Sequence, residues 1–273
     1  MSGGLPPEGR FGPAPLERRR LPVIGRREIG PYVVVDIQDD SGARPAPGQF
    51  YMLSLAEGWG GGVDDRPYLP RAISVMEASG ERLSFMLEAV GPGSKELCGA
   101  VAGDELMVLG PLGRGFRPAG EAPPVICAGG IGVAPMVMLA VALGGDATCA
   151  LGFRDEPHAQ AASLLAGAQV ATDDGSAGHH GNAVELLSSV LEEQPGAMVY
   201  SCGPPGMLAA VRDLCLERGS GAQLALESGM ACGFGACHGC VVPAAGGSFI
   251  RLCVDGPVVA GVELHDDWRV AYG

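Results

Sequence analysis

The sequence predicts an antiparallel β-barrel, then a doubly wound α/β domain on a parallel sheet, then a small cysteine-rich module at the carboxyl end. Three observations carry this. Residues 21–117 give short apolar strands punctuated by Gly and Pro, the rhythm of an antiparallel barrel or sandwich. From Pro123 the rhythm becomes strand, glycine loop, helix, repeated, which builds a parallel sheet. Beyond residue 220 the cysteines crowd together. The chain divides into a disordered tail (1–20), the barrel (21–120), the α/β domain (121–219) and the cysteine module (220–273).

In the barrel half, GQFYMLSL (48–55), RAISVME (71–77), RLSFMLEAV (82–90) and DELMVLG (104–110) alternate or carry β-branched runs, as half-buried strands do. A short helix is expected at 94–100. Glu57–Asp65, with four glycines, reads as a mobile loop. In the second half, strands are expected at 125–127, 147–153, 168–172 and 197–201. A helix opens near Pro135, where the missing N–H of proline costs nothing. Another starts at an Asn182 cap, with Val184, Leu187 and Leu191 on one face. A third ends at Gly219 and puts Met207, Leu208, Val211, Leu214 and Cys215 on one stripe.

Composition narrows the function. With 273 residues and 47% hydrophobic content, two compact domains plus a module can each bury a core. A net charge of −13 argues against nucleic acid as partner. Residues 1–20 are rich in Pro, Gly and Arg and lack the apolar centre of a secretory signal. Val125–Leu143 is uncharged throughout, yet Gly129, Gly130, Gly132 and Pro135 break it. A buried βα unit explains it better than a membrane span. Nine cysteines is an odd number in a chain much longer than a disulfide scaffold, and this usage fits a reducing cytoplasm.

Cys232, Cys237, Cys240 and Cys253 follow the spacing C-x4-C-x2-C-x12-C, the plant-type [2Fe–2S] pattern. Gly233, Gly235 and Gly239 lie among the ligands. They allow the positive φ angles and close backbone approach that wrapping a cluster demands. A structural zinc site is the alternative, but zinc sites usually pair two short hooks, and here three cysteines share one loop. His238 is expected at the surface or behind the ligands.

Four glycine-rich or polar loops follow predicted strands: AGGIGVAP (128–135), GFRDE (152–156), TDDGSAGHHG (172–181) and SCGPPGM (201–207). In an open parallel sheet such loops converge on one edge and bind nucleotides there. Gly129, Gly130, Gly132, Asp173, Asp174, Gly203 and Pro204 are the candidate nucleotide contacts. AGGIGVAP alone is about equally a tight βα turn with no ligand. Cys202 is a candidate nicotinamide contact, with a small buried thiol as the bland alternative. In RAIS, Arg71 suits a bidentate grip on pyrophosphate. If the strand is regular, Ser74 shares a face with Ala72 and not with Arg71.

Taken together, R-x-x-S, GPLGRGF (110–116), the four loops and the cysteine spacing resemble the ferredoxin-reductase superfamily. Within it they resemble the electron-transfer (PyrK-type) subunits of NAD-dependent dihydroorotate dehydrogenase B, over about residues 21–264. That resemblance implies FAD between barrel and nucleotide domain. It is held by Arg71, Ala72, Ile73 and Ser74, by Met86, Leu87 and Glu88, and by Gly93 and Ser94. Ala72 stands where proline is usual, and Glu88 where a basic residue is common. It further implies a [2Fe–2S] cluster on the four cysteines and NAD as acceptor. The implied partner is a PyrD-type FMN catalytic subunit, in a heterotetramer with two of each. The acidity of Asp155, Glu156, Asp173 and Asp174 around Arg154 leans toward NAD over NADP. Rival readings are a reductase subunit of a sulfite reductase, hydrogenase or ferredoxin:NADP+ oxidoreductase complex, and a non-catalytic zinc or redox-sensing module.

Overall fold

The computed structural model describes residues 17–41, 44–60 and 67–268. Most of the expected tail and residues 61–65 of the expected mobile loop lie outside them. The first half is a closed barrel: β1 (Arg19–Ile29), β2 (Tyr32–Gln38), β3 (Phe50–Leu55), β4 (Arg71–Ser79), β5 (Arg82–Glu88) and β6 (Glu105–Leu112), in the order β1-β2-β5-β4-β3-β6. Helix α1 (Pro92–Cys98) starts two residues before the position expected of it. β1 begins at Arg19, inside the expected tail. Arg19 itself is tied down, donating from Nη1 to Asp39 Oδ1 at 2.5 Å.

β2 explains its own apolar run. Val33, Val35 and Ile37 fill the barrel, while Tyr32 and Val34 pack into the neighbouring domain's core. Both faces of the strand are therefore covered. The one charge on it, Asp36, is buried, and its oxygens accept from Ser84 Oγ at 2.6 Å and Arg27 Nη1 at 2.8 Å. A buried carboxylate without such donors would be costly.

The barrel opens at one end. β4 pairs with β3 through Arg71–Leu53 to Ser74–Phe50, and pairs with β5 only from Val75 onward. β5 stays on β2 through Glu88. Arg71–Ser74 and Met86–Glu88 are thus facing strand edges with no ladder between them.

The second half is a seven-stranded sheet on which α2 (Ala134–Ala142), α3 (Glu156–Ala159), α4 (Ala183–Glu193) and α5 (Pro205–Arg218) are threaded. Its strands are β7 (Pro124–Gly129), β8 (Thr148–Phe153), β9 (Gln169–Thr172), β10 (His179–His180), β11 (Met198–Cys202) and β12 (Gly221–Ala225), all parallel, with β15 (Val258–Ala260) antiparallel at the edge. Val125–Ala128 of the central β7 are entirely buried. The uncharged stretch 125–143 is therefore a strand, a turn and a helix. No helix among the described residues is long and apolar enough to cross a membrane. Asn182 caps α4, accepting from Val184 N at 3.0 Å, and Gly219 ends α5 at φ 67°.

Residues 226–257 carry the cysteines and the hairpin β13 (Val241–Pro243) and β14 (Phe249–Arg251). The boundary expected at residue 220 falls inside the sheet, because β12 and β15 complete it. The buried Arg212 of α5 clamps the far end of the module, donating to the carbonyls of Gly261 and Leu264 at 3.0 Å each. Phe50, Met52, Leu109 and Leu112 of the barrel share one core with Cys240, Val242, Leu252 and Cys253, so the cysteine lobe is seated on the barrel.

Candidate functional site

A cavity of about 350 Å3 lies where β4 and β5 part. Arg71–Ser74 form one wall and Met86–Glu88 the other, closed by Ser94, Cys202, Leu226, Glu227 and Met230. Met86 and Leu87 have buried side chains and so present backbone. Arg71, Ala72, Ile73 and Ser74 all line the cavity, because this stretch is an open edge flanked by one strand only. Two freed strand edges suit a flat heterocycle with hydrogen-bonding atoms on its rim.

Arg71 is preset beside this wall. Its Nη1 donates to Leu69 O at 2.5 Å. A Cβ on Gly93 would lie 2.5 Å from Arg71 Nε, so only glycine leaves the guanidinium its place. Ser94 lines the cavity, but its hydroxyl is engaged locally, accepting from the amides of Val90 and Gly91 at 3.0 Å each.

A second cavity of about 400 Å3 sits beyond the carboxyl ends of the parallel strands. Gly129, Gly130, Gly152, Arg154, Asp173, Gly203 and Pro204 line it. β8 and β11 flank β7 on its two sides, so this is the switch point where open α/β sheets bind ligands. Two expected contacts fall elsewhere. Asp174 turns to its own loop, its Oδ1 accepting from Ser176 N at 3.0 Å and Oγ at 2.6 Å. Gly132 lines the first cavity, packed on the Cys202–Gly203 backbone. Cys202 also lines the first cavity, and burial, with the Glu227 carboxylate adding, lifts its thiol far above the ordinary range.

The two cavities share Glu88, Ile131 and Glu227. Glu88 also ties the two domains, accepting a hydrogen bond from Arg154 and standing 3.5 Å from His158 Nε2. His158 Nδ1 lies 2.5 Å from Asp155 Oδ1, and its ring meets Tyr32 edge-on at 5.5 Å. That hydrogen bond holds the Asp155 carboxyl below its usual range. Sequence reasoning missed Tyr32, His158 and Glu227, and singled out Ile131 only as part of the AGGIGVAP loop. Of the three missed, Glu227 carried a signal, since it lies just after β12 at the start of the cysteine stretch.

In the third part, no set of three or more His, Cys, Asp or Glu side chains among the described residues forms a site for a single metal ion. The four cysteines fall instead into two pairs. Cys237 N donates to Cys232 Sγ at 3.5 Å, and Cys253 N donates to Cys240 Sγ at 3.4 Å. The hairpin causes the second pairing: Val241 lies opposite Arg251, Leu252 N donates to Cys240 O at 3.1 Å, and Cys253 follows directly. Two thiolates on each of two irons is the demand of a [2Fe–2S] cluster. Burial raises the Cys232 thiol, but the amides of Cys237, Phe234 and Ala236 outweigh it and bring the pKa to about 6. Burial and the neighbouring Cys240 push Cys253 up to about 12, which calls for a cation to hold that pair as thiolates. Gly233 at φ 80° and Gly235 at φ 88° turn the loop, and their missing side chains admit Met52 and Val254. Cys240 and Cys253 are buried, whereas Cys237 is exposed beside the half-exposed Phe234. The donor set and its amide surroundings fit an iron–sulfur cluster, and the open strand edges beside an arginine that pairs with no carboxylate among the described residues fit a flavin dinucleotide.

This fold and this constellation define a ferredoxin-reductase-type oxidoreductase subunit. Solved structures agree on the fold. A chain of an NADH-dependent reduced ferredoxin-NADP oxidoreductase superposes with TM-score 0.79 at 22% identity, covering 92% of each chain. The ferredoxin reductase of carbazole 1,9a-dioxygenase gives 0.64 at 23%, over 76% of this chain and 67% of that one. Residues 227–265 match the model of the iron-sulfur cluster binding domain of dihydroorotate dehydrogenase B. The dihydroorotate dehydrogenase B (NAD(+)) electron transfer subunit of Caldanaerobacter subterraneus subsp. tengcongensis is 34% identical over 89% of this chain and 96% of its own length. That of Clostridium acetobutylicum is 36% identical over 80% and 85%. The chain belongs to the family of electron transfer subunits of dihydroorotate dehydrogenase B (NAD(+)).

Proposed function

We propose that the chain relays electrons from a PyrD-type FMN catalytic subunit, which oxidises dihydroorotate to orotate in pyrimidine biosynthesis, to NAD+. The assembly is a cytoplasmic heterotetramer with two of each subunit, a compartment in keeping with nine cysteines none of which is in a disulfide. One observation carries the reading: the cysteine lobe, the cavity between β4 and β5, and the strand-end cavity adjoin in that order. Met230 lies in the wall of the first cavity and packs on the core that holds Cys240 and Cys253. Glu88, Ile131 and Glu227 stand between the first cavity and the second.

Bound FAD and a [2Fe–2S] cluster would supply the change from single-electron to hydride transfer. The protein's part is placement. Cys232, Cys237, Cys240 and Cys253 hold the cluster, with amide N–H groups stabilising the thiolates. The exposed Cys237 and Phe234 mark the edge that the catalytic subunit covers. Arg71–Ser74 and Met86–Glu88 grip the flavin, and Arg71 takes the diphosphate. Gly93 gives Arg71 its room, and Ser94 holds the turn before α1. Gly129, Gly130, Gly203 and Pro204 let the nicotinamide dinucleotide approach the strand ends, with Asp173 at the rim. The protonated Cys202 thiol offers a small neutral surface where the two ligands meet.

The test is anaerobic co-expression with the FMN subunit. Co-purification, with dihydroorotate-dependent NADH formation that Cys232→Ala abolishes while FAD is retained, supports the reading. Undiminished activity in Cys232→Ala contradicts it.

A further inference from the structure

Trp59 is one of only two tryptophans in the chain, and none of the roles above uses it. It lies just past β3, half-buried and packed against the barrel core. The Arg71 Cζ stands 5.8 Å from the centre of its ring. Its Nε1–H is buried and has no hydrogen-bond partner among the described residues. Buried donors are normally satisfied, so an orphan on a ring next to the cavity-lining Arg71 invites an acceptor from outside the chain. Arg71 is in a matching state: it bonds one carbonyl, Leu69 O, and pairs with no carboxylate among the described residues.

These facts belong together chemically. The face of an indole attracts a cation. The guanidinium held there keeps N–H groups free for two oxygens of one phosphate. The indole N–H adds one further donor of fixed direction at low entropic cost, since the ring has two side-chain torsions. Gly93 gives the guanidinium room on another side, because it fills the space a Cβ would need there.

We infer that Trp59 is a flavin-positioning residue: its ring holds the Arg71 guanidinium for the FAD diphosphate, and its Nε1–H donates to that same anion. The inference rests on the FAD reading above. Trp59 acts through Arg71 and the diphosphate, and touches neither the reacting ring nor NAD.

The test is FAD titration of the flavin-free full chain, followed by flavin and tryptophan fluorescence. In the wild type, FAD quenches the emission of Trp59, measured as the difference from Trp59→Phe. Trp59→Phe removes the N–H and keeps a ring, and weakens FAD binding about three- to tenfold. Trp59→Leu removes both, and weakens it about ten- to a hundredfold. With Arg71→Ala already in place, Trp59→Leu adds less than about threefold, because its target is gone. Trp59→Phe carries the test if Trp59→Leu does not fold. Affinities within about twofold of wild type in both variants overturn the inference, and so does a Trp59→Leu penalty undiminished in the Arg71→Ala background. A wild-type chain that takes up no FAD overturns the flavin reading and this inference with it.

Discussion

Gly132→Ala probes the join between the two cavities. A Cβ on Gly132 would lie 2.3 Å from Cys202 O, 2.5 Å from Cys202 C and 2.7 Å from Gly203 N. All three are backbone atoms at the end of β11, so no side chain can rotate away. Relief needs a shift of about 1 Å in the turn after β7 or in β11 itself, and these strands are hydrogen-bonded neighbours through Ala128 and Cys202. Forcing one extra carbon into a packed site costs about 1–3 kcal/mol. Rigid neighbours place this site near 3, which lowers Tm by about 6–12 °C for a chain of this size. Gly206→Ala is the control, since nothing lies within 4 Å of its added carbon and it sits inside α5. It should leave Tm unchanged or raise it slightly. Calorimetry with NADH titration reads both variants. A Gly132→Ala chain as stable as wild type, with unaltered NADH affinity, would refute the packing argument.

Other outcomes follow from single contacts. Gly93→Ala meets the flexible Arg71 guanidinium rather than backbone, so Tm changes by less than about 3 °C while FAD affinity drops about tenfold or more; fluorescence titration checks this. Glu88→Gln removes a carboxylate from both cavities and its pairing with Arg154. Because Arg154 is 58% exposed, stability falls by less than about 1 kcal/mol. NADH should bind about two- to fivefold tighter once that negative charge is gone. Weaker binding would contradict the placement of Arg154. Stability should also decline in alkali. Burial lifts Cys127 and Cys215 to about 12 and Cys202 further, whereas unfolded thiols ionise near about 8.5. Above that pH unfolding releases protons, so stability falls as pH rises, by up to about 1.4 kcal/mol per thiol per pH unit. Urea midpoints at pH 8 and 10 under reducing conditions measure it.

Much of this was readable in the residues because spacing carries it directly. The cysteine pattern, the Asn182 cap, the Gly219 stop and the glycine loops after β7 and β11 are local signals, and each stands in the expected element. What depended on tertiary packing was not readable. β2 looks like an unpatterned apolar run, since both its faces are covered by different cores. β12 reads as the start of the cysteine module, yet pairing with β11 claims it for the sheet. The cavity at Arg71–Ser74 opens because β4 pairs with β5 only from Val75 onward, which no local pattern announces. Asp173 and Asp174 are neighbours, yet only Asp173 reaches the cavity, because Ser176 draws Asp174 into a turn. Glu227 and His158 owe their positions to the docking of two domains.

The central claim is that four cysteines, paired by one loop and one hairpin, hold a two-iron cluster beside a flavin. Metal, acid-labile sulfide and flavin analysis of the anaerobically purified chain tests it most directly. The account predicts about two irons and two sulfides with one FAD per chain. One zinc with no sulfide, or neither iron nor flavin in a folded chain, would contradict it.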